Sequence, residues 1–189
     1  GYSEILDRTP PTPQKIAIVP LELDSRVNGK FQRVEVTPVL SGANYRIPET
    51  IQVSGKVGLE IQGYDKLDGA ENQNGFPRFE VSDDSGLLFK LLVDKVDFNF
   101  TRHFLLHTHL NRFTKLYHQK DLKFSFITPH STGTGALELE PGKKKNIQVK
   151  LIDGALVTYS WYRFIDQPSF QQYKWSKEKR ESLQKFIEK

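Results

Sequence analysis

The sequence predicts a mainly β protein, an antiparallel sandwich with a short helix at its C-terminal end. Three observations carry that expectation. Apolar residues recur at every second position in several short runs, which makes one face of a pleated strand greasy and the other wet. Turn-forming pairs punctuate those runs. Helical spacing is convincing only at the very end of the chain.

The elements follow in order. Residues 7–14 read Asp-Arg-Thr-Pro-Pro-Thr-Pro-Gln, a stiff and extended composition that predicts a lead-in over residues 1–14. In the first run Ile16 and Ile18 alternate with Ala17 and Val19. Val34 and Val36 alternate with Arg33 and Glu35, and Val57, Leu59 and Ile61 with Gly58 and Glu60. Ile147, Val149 and Leu151 alternate with Gln148 and Lys150, and Val157, Tyr159 and Trp161 follow. Asn28-Gly29, Asn74-Gly75 and Asp153-Gly154 are turn pairs, because Asn, Asp and Gly tolerate positive φ. Asp153-Gly154 lies between two alternating runs and predicts a hairpin. Ser41-Gly42 and residues 131–135 read as loops.

The longest alternation runs from Val96 to Leu110. Val96, Phe98, Phe100, Phe104, Leu106 and Leu110 have one parity; Asp97, Asn99, Thr101, His103, His107 and His109 have the other. So long a strand predicts a kink near Arg102. Ser176 caps a predicted helix that runs to Lys189, with Leu183, Phe186 and Ile187 at helical spacing. The resulting division is a lead-in over 1–14, an immunoglobulin-like sandwich over 15–165, and a helical tail over 166–189. A pair of small sandwiches is the alternative, joined near 111–123 or 131–135.

Composition narrows the chemistry. The chain has 189 residues, and its 27 Lys and Arg against 23 Asp and Glu leave a net charge of +4. That excess is too small to imply nucleic acid by itself, and no interleaved aromatic and basic platform for single strands is present. Cysteine is absent, which removes disulfides, thiolate metal sites and a cysteine nucleophile. No apolar run reaches the ~20 residues of a membrane helix. A chain that begins at Gly1 without any Met reads as a trimmed or mature piece of a longer protein.

Several groups bear chemistry. On one strand His107 and His109 would face the same side, with His103 in the same parity, and imidazoles so placed can share a zinc ion. The plainer expectation is a solvent-facing polar stripe. Asp83 and Asp84 before Ser85-Gly86 fit a hairpin turn. Asp65, Asp68, Asn72 and Asn74 have the oxygens of a calcium cage, and equally the make-up of a solvated loop. Lys143, Lys144 and Lys145 form a basic cluster that could meet an anionic polymer, though such runs are more often simply solvated. Tyr173 and Trp175 stand outside the clear strands and offer a docking surface for a sugar face or a partner. Phosphate loops, nucleophile elbows and His-Glu-x-x-His helices are absent from the sequence.

A resemblance enters at four segments: Val53 to Asp65, Asn72 to Phe76 with Phe79-Glu80-Val81, Val96 to Arg102, and Pro141-Gly142 before Ile147 to Gly154. Their order and spacing resemble the β-rich domain that follows the catalytic domain in some bacterial lysostaphin-type zinc metallopeptidases, which cleave peptidoglycan cross-links. The resemblance covers about residues 5–165. It implies a non-catalytic accessory module of the cell envelope, periplasmic or surface-exposed, that engages peptidoglycan or an upstream catalytic domain. The catalytic domains of that family carry His-x-x-x-Asp and, later, His-x-His. Here His107-Thr108-His109 matches the second piece by letters alone, and no His precedes His103. No catalytic residue, cofactor or metal is therefore assigned to this chain. A free-standing carbohydrate binder or adhesin is the alternative, and a metal-dependent hydrolase on the His-x-His segment a more distant one.

Overall fold

A computed structural model describes residues 7–93, 105–110, 112–118, 134–140, 142–152 and, as backbone alone, 157–166. The protein is mainly β, and its strands form two sheets. The expected helix at 176–189, Tyr173, Trp175, His103 and the stretch from Val96 to Phe104 lie outside the described residues.

The first sheet is antiparallel throughout. Its centre is β1 (Thr12–Pro20) paired with β7 (Lys56–Tyr64), and β3 (Val34–Val36) closes one edge. On the far side of β7 lie β11 (Phe113–Lys115) and β12 (Leu137–Glu138), one after the other along the strand. The two-residue β10 (Thr108–His109) pairs with β11 and forms the other edge. β1 takes in Thr12, Pro13 and Gln14, so the proline-rich lead-in is already strand, with a register shift between Pro13 and Lys15. Pro13 is tolerated because β3 pairs only with Ile16, Ala17 and Ile18, so that among the described residues that end of β1 has no neighbour on the β3 side.

The second sheet runs β2 (Arg26–Val27), β6 (Ile51–Ser54), β14 (Val157–Asp166), β13 (Lys144–Ile152), β8 (Arg78–Asp83) and β9 (Gly86–Leu92). The hairpin of β4 (Val39–Ser41) and β5 (Asn44–Arg46) joins it through β5. This sheet departs from the antiparallel expectation at one strand: β5 and β6 both run parallel to β14. A parallel pairing needs a long crossover, and a hundred residues of chain separate these strands, where no alternation pattern could have announced the partnership.

The turn chemistry is largely as expected. Asn28 and Gly29 have φ of 49° and 78°, and Val27 and Lys30 exchange backbone hydrogen bonds of 2.9 and 3.0 Å around them, a type I′ geometry. Asp83 opposes Gly86 across the β8–β9 turn. β13 and β14 pair from Lys144↔Ile165 to Ile152↔Val157, which is the predicted hairpin. Asn74 does not turn the chain; it bridges to Asp65 through two backbone hydrogen bonds of 2.8 and 2.9 Å.

One apolar cluster is fed by both sheets. Ile16, Ile18, Val57, Leu59 and Ile61 enter it from the first, and Val53, Phe79, Val81, Phe89, Leu91, Ile147, Val149 and Leu151 from the second. Gly55 is the corner where the chain leaves one sheet for the other, between β6 and β7. Its φ is +68°, and a Cβ there would lie 2.9 Å from the Ser25 hydroxyl. That buried hydroxyl accepts hydrogen bonds from the backbone N–H of Lys56 (3.0 Å) and Glu22 (3.3 Å), so the corner is tied from inside.

The segment after Phe104 overturns the expected strand. Leu105, Leu106 and His107 are helical. Leu105, Leu106 and Leu110 are 57, 48 and 77% exposed, and His107 is 1% exposed. The expected solvent-facing histidine stripe on a leucine-packed strand is thus inverted here. The reason is the change from period 2 to a helical turn over residues 105–107, after which strand parity no longer fixes which side chains point inward.

Candidate functional site

Sequence parity places Glu60 on the wet face of β7, yet it is only 2% exposed. The explanation is a second layer on that face of the first sheet. Antiparallel register sets Ala17 and Lys115 on either side of Glu60, and Glu35 beyond Ala17. Because Ala17 is small, the Arg33 side chain can reach over β1, and its Nε donates to Glu60 Oε2 at 2.9 Å. Arg33 also pairs with Glu35, and its guanidinium lies 4.1 Å from the centroid of the Phe113 ring, a cation–π arrangement. Tyr117 Oη donates to the other oxygen, Glu60 Oε1, at 3.2 Å.

Tyr117 reaches this place only because residue 58 is glycine. A Cβ on Gly58 would fall 2.5 Å from the ring, closer than atoms can approach. A glycine inside an alternating strand marks a close approach; that a tyrosine ring makes it is not legible in the sequence.

Burial governs the titration of the groups around this layer. Tyr117 is pushed well above the ordinary phenol range by burial and then by the Glu60 charge. Lys115 is lowered by burial against the opposing pull of Glu60; its Nζ donates to the Leu106 carbonyl at 2.9 Å. His107 is lowered to about 4, first by burial and then by the nearby Lys115 and His118 charges. It is therefore neutral at pH 7. His118 packs edge-on against Phe89 and is lowered by burial.

The second sheet carries a different polar face. Lys90 and Lys150 stand opposite Glu80 on its two neighbouring strands, each with Nζ 3.7 Å from a Glu80 carboxylate oxygen. Arg78 contacts the same carboxylate at 2.5 Å. Burial raises the Glu80 pKa, but these three cations outweigh it and hold it below the usual carboxylate range. Three positive charges thus surround one negative charge. At the end of β13, Lys143 and Lys144 are exposed, while Lys145 is anchored to Asp83 at 2.8 Å.

The remaining sequence candidates separate. Asp83 is a turn residue: its Oδ1 accepts the Ser85 backbone N–H at 2.8 Å. Burial raises its pKa, but Lys145 and Ser85 override that and lower it. Asp84 is exposed on the same turn. Asp65 is buried beside its bridge to Asn74, whereas the Asp68 carboxylate is exposed and accepts from Thr9 Oγ1 at 2.7 Å. Asn72 is exposed. His107 sits inside a helical turn and His109 on β10, so strand parity does not bring them to one ion. Among the described residues no group of three His, Asp or Glu has metal-binding geometry. No helix among them is long and apolar enough to cross a membrane.

The sequence reading missed Arg33, Glu60 and Tyr117 as a unit. The available signal was a Glu inside the strongest apolar alternation, with an Arg preceding another strand; pairing the two required the register. Comparison with protein-family models, curated proteins and solved structures yields no match.

Proposed function

We propose that this chain is a non-catalytic binding module of the bacterial cell envelope, an immunoglobulin-like β-sandwich that positions a peptidoglycan metallopeptidase or holds it to the wall. Two sheets feeding one apolar cluster support the sandwich reading. The observation that carries the binding role is the polar face of the second sheet, where Arg78, Lys90 and Lys150 surround a single Glu80 and Lys143 and Lys144 stand exposed at one end. A cluster in which cations outnumber the carboxylate they surround suits an anionic polymer such as cell wall. The first sheet favours architecture over turnover: Glu60 spends both oxygens on Arg33 and Tyr117.

Co-sedimentation with purified peptidoglycan sacculi tests the proposal. Retention is expected, with the Lys143→Glu/Lys144→Glu double variant at least about fivefold weaker and retention falling as salt rises. Absence of retention, or release of soluble wall fragments by the chain alone, would overturn it.

A further inference from the structure

The helical turn before β10 and the connection from β10 to β11 display apolar side chains where a water-soluble edge would display polar ones. Leu105, Leu106 and Leu110 are exposed. Leu110 has φ of 51°, a left-handed conformation that a bulky residue adopts at a cost. It is held at the hairpin connection, where the Arg112 N–H donates to the His109 carbonyl at 3.1 Å. The strained residue is also the most exposed large apolar residue among those described.

Along the sequence the charge on either side of it is of one sign. No Asp or Glu occurs between Asp97 and Asp121, a stretch that holds Arg102, Arg112, Lys115 and Lys120. Arg112 is exposed beside Leu110. We infer that this hairpin is a membrane-contact tip, which places Leu105, Leu106 and Leu110 among the acyl chains of an anionic bilayer and Arg112 among its headgroups. Leucines that enter the interface with cations at their rim are what anionic lipid surfaces select. A stable protein partner would need about 800 Å² from each side, more than three leucines on a hairpin provide, and the two-residue β10 is too short to template a further strand.

This inference is independent of wall binding, and vesicles free of peptidoglycan test it alone. The whole chain is sedimented with phosphatidylcholine vesicles, with and without a phosphatidylglycerol fraction. Binding is expected to the anionic vesicles and to weaken with salt. Leu106→Asp/Leu110→Asp should bind at least about tenfold more weakly with an unchanged circular-dichroism spectrum, since both side chains already face solvent. Emission of a Leu110→Trp variant should shift to the blue on adding anionic vesicles. Equal binding to neutral vesicles, no binding, or undiminished binding by the Asp variant would overturn the inference. So would a wild-type dimer that the Asp variant dissolves, which would make a second copy the occupant.

Discussion

Glu60 has only 2% of its surface exposed, so its charge rests on Arg33, and the two are not interchangeable in their effects. Arg33→Ala leaves a buried carboxylate without its cation and should cost about 3–5 kcal/mol, read as a lowered urea midpoint at constant slope. Adding Glu60→Gln to that background should recover part of the loss, because the stranded charge is gone. His107 sets a pH dependence of definite sign. Its folded pKa of about 4 lies below the 6.5 of an unperturbed imidazole, so the unfolded chain binds the proton first as pH falls. Stability is therefore full above about pH 7 and declines toward pH 4. Between pH 7 and 5 the loss should be about 2 kcal/mol, from one proton bound by the unfolded state over most of that range. His107→Gln should flatten that slope in thermal unfolding; a slope unchanged from wild type would show that imidazole to be already charged or solvated.

At the level of elements, β7 is covered on both faces. Val57, Leu59 and Ile61 enter the shared core, and Gly58 and Glu60 lie under Tyr117 and Arg33. The contact between Gly58 and Tyr117 predicts a coupling. Gly58→Ala should cost about 1–3 kcal/mol through overpacking, and markedly less in a Tyr117→Ala background, where the ring that the new methyl would strike is absent. A double-mutant cycle from equilibrium unfolding gives the pairwise figure. Additive single effects would mean that the methyl is accommodated without moving the ring. The stretch that leads into the β10–β11 hairpin has the opposite character: Leu105, Leu106 and Leu110 face out and His107 faces in.

Over the whole molecule, both sheets contribute to one apolar cluster, and the chain changes sheet at Gly55 within a single residue. That cluster holds Leu116, Leu137 and Leu139 together with Ile16 and Val149, and a single cooperative unit is the expected behaviour of such a core. Leu59→Ala in the first sheet and Val149→Ala in the second should therefore lower one and the same unfolding transition. Near- and far-ultraviolet circular dichroism should follow it together. Two separable transitions, each sensitive to one variant, would mean that the sheets fold apart.

By itself the sequence determined the strands around Ile16–Ile18, Val34–Val36, Val57–Ile61 and Ile147–Leu151, and the tight turns at Asn28-Gly29 and Asp83–Gly86. Those signals are local: a side-chain period of two and residues that accept positive φ act within a few positions. Only the tertiary structure decided that β5 and β6 run parallel to β14, that Arg33 crosses Ala17 to reach Glu60, and that His107 turns inward while Leu110 turns out. Each of those outcomes depends on the partner a strand meets across the sheet. Burial of a charge or an imidazole is settled by what distant segments lay over it, which no periodicity along the chain encodes.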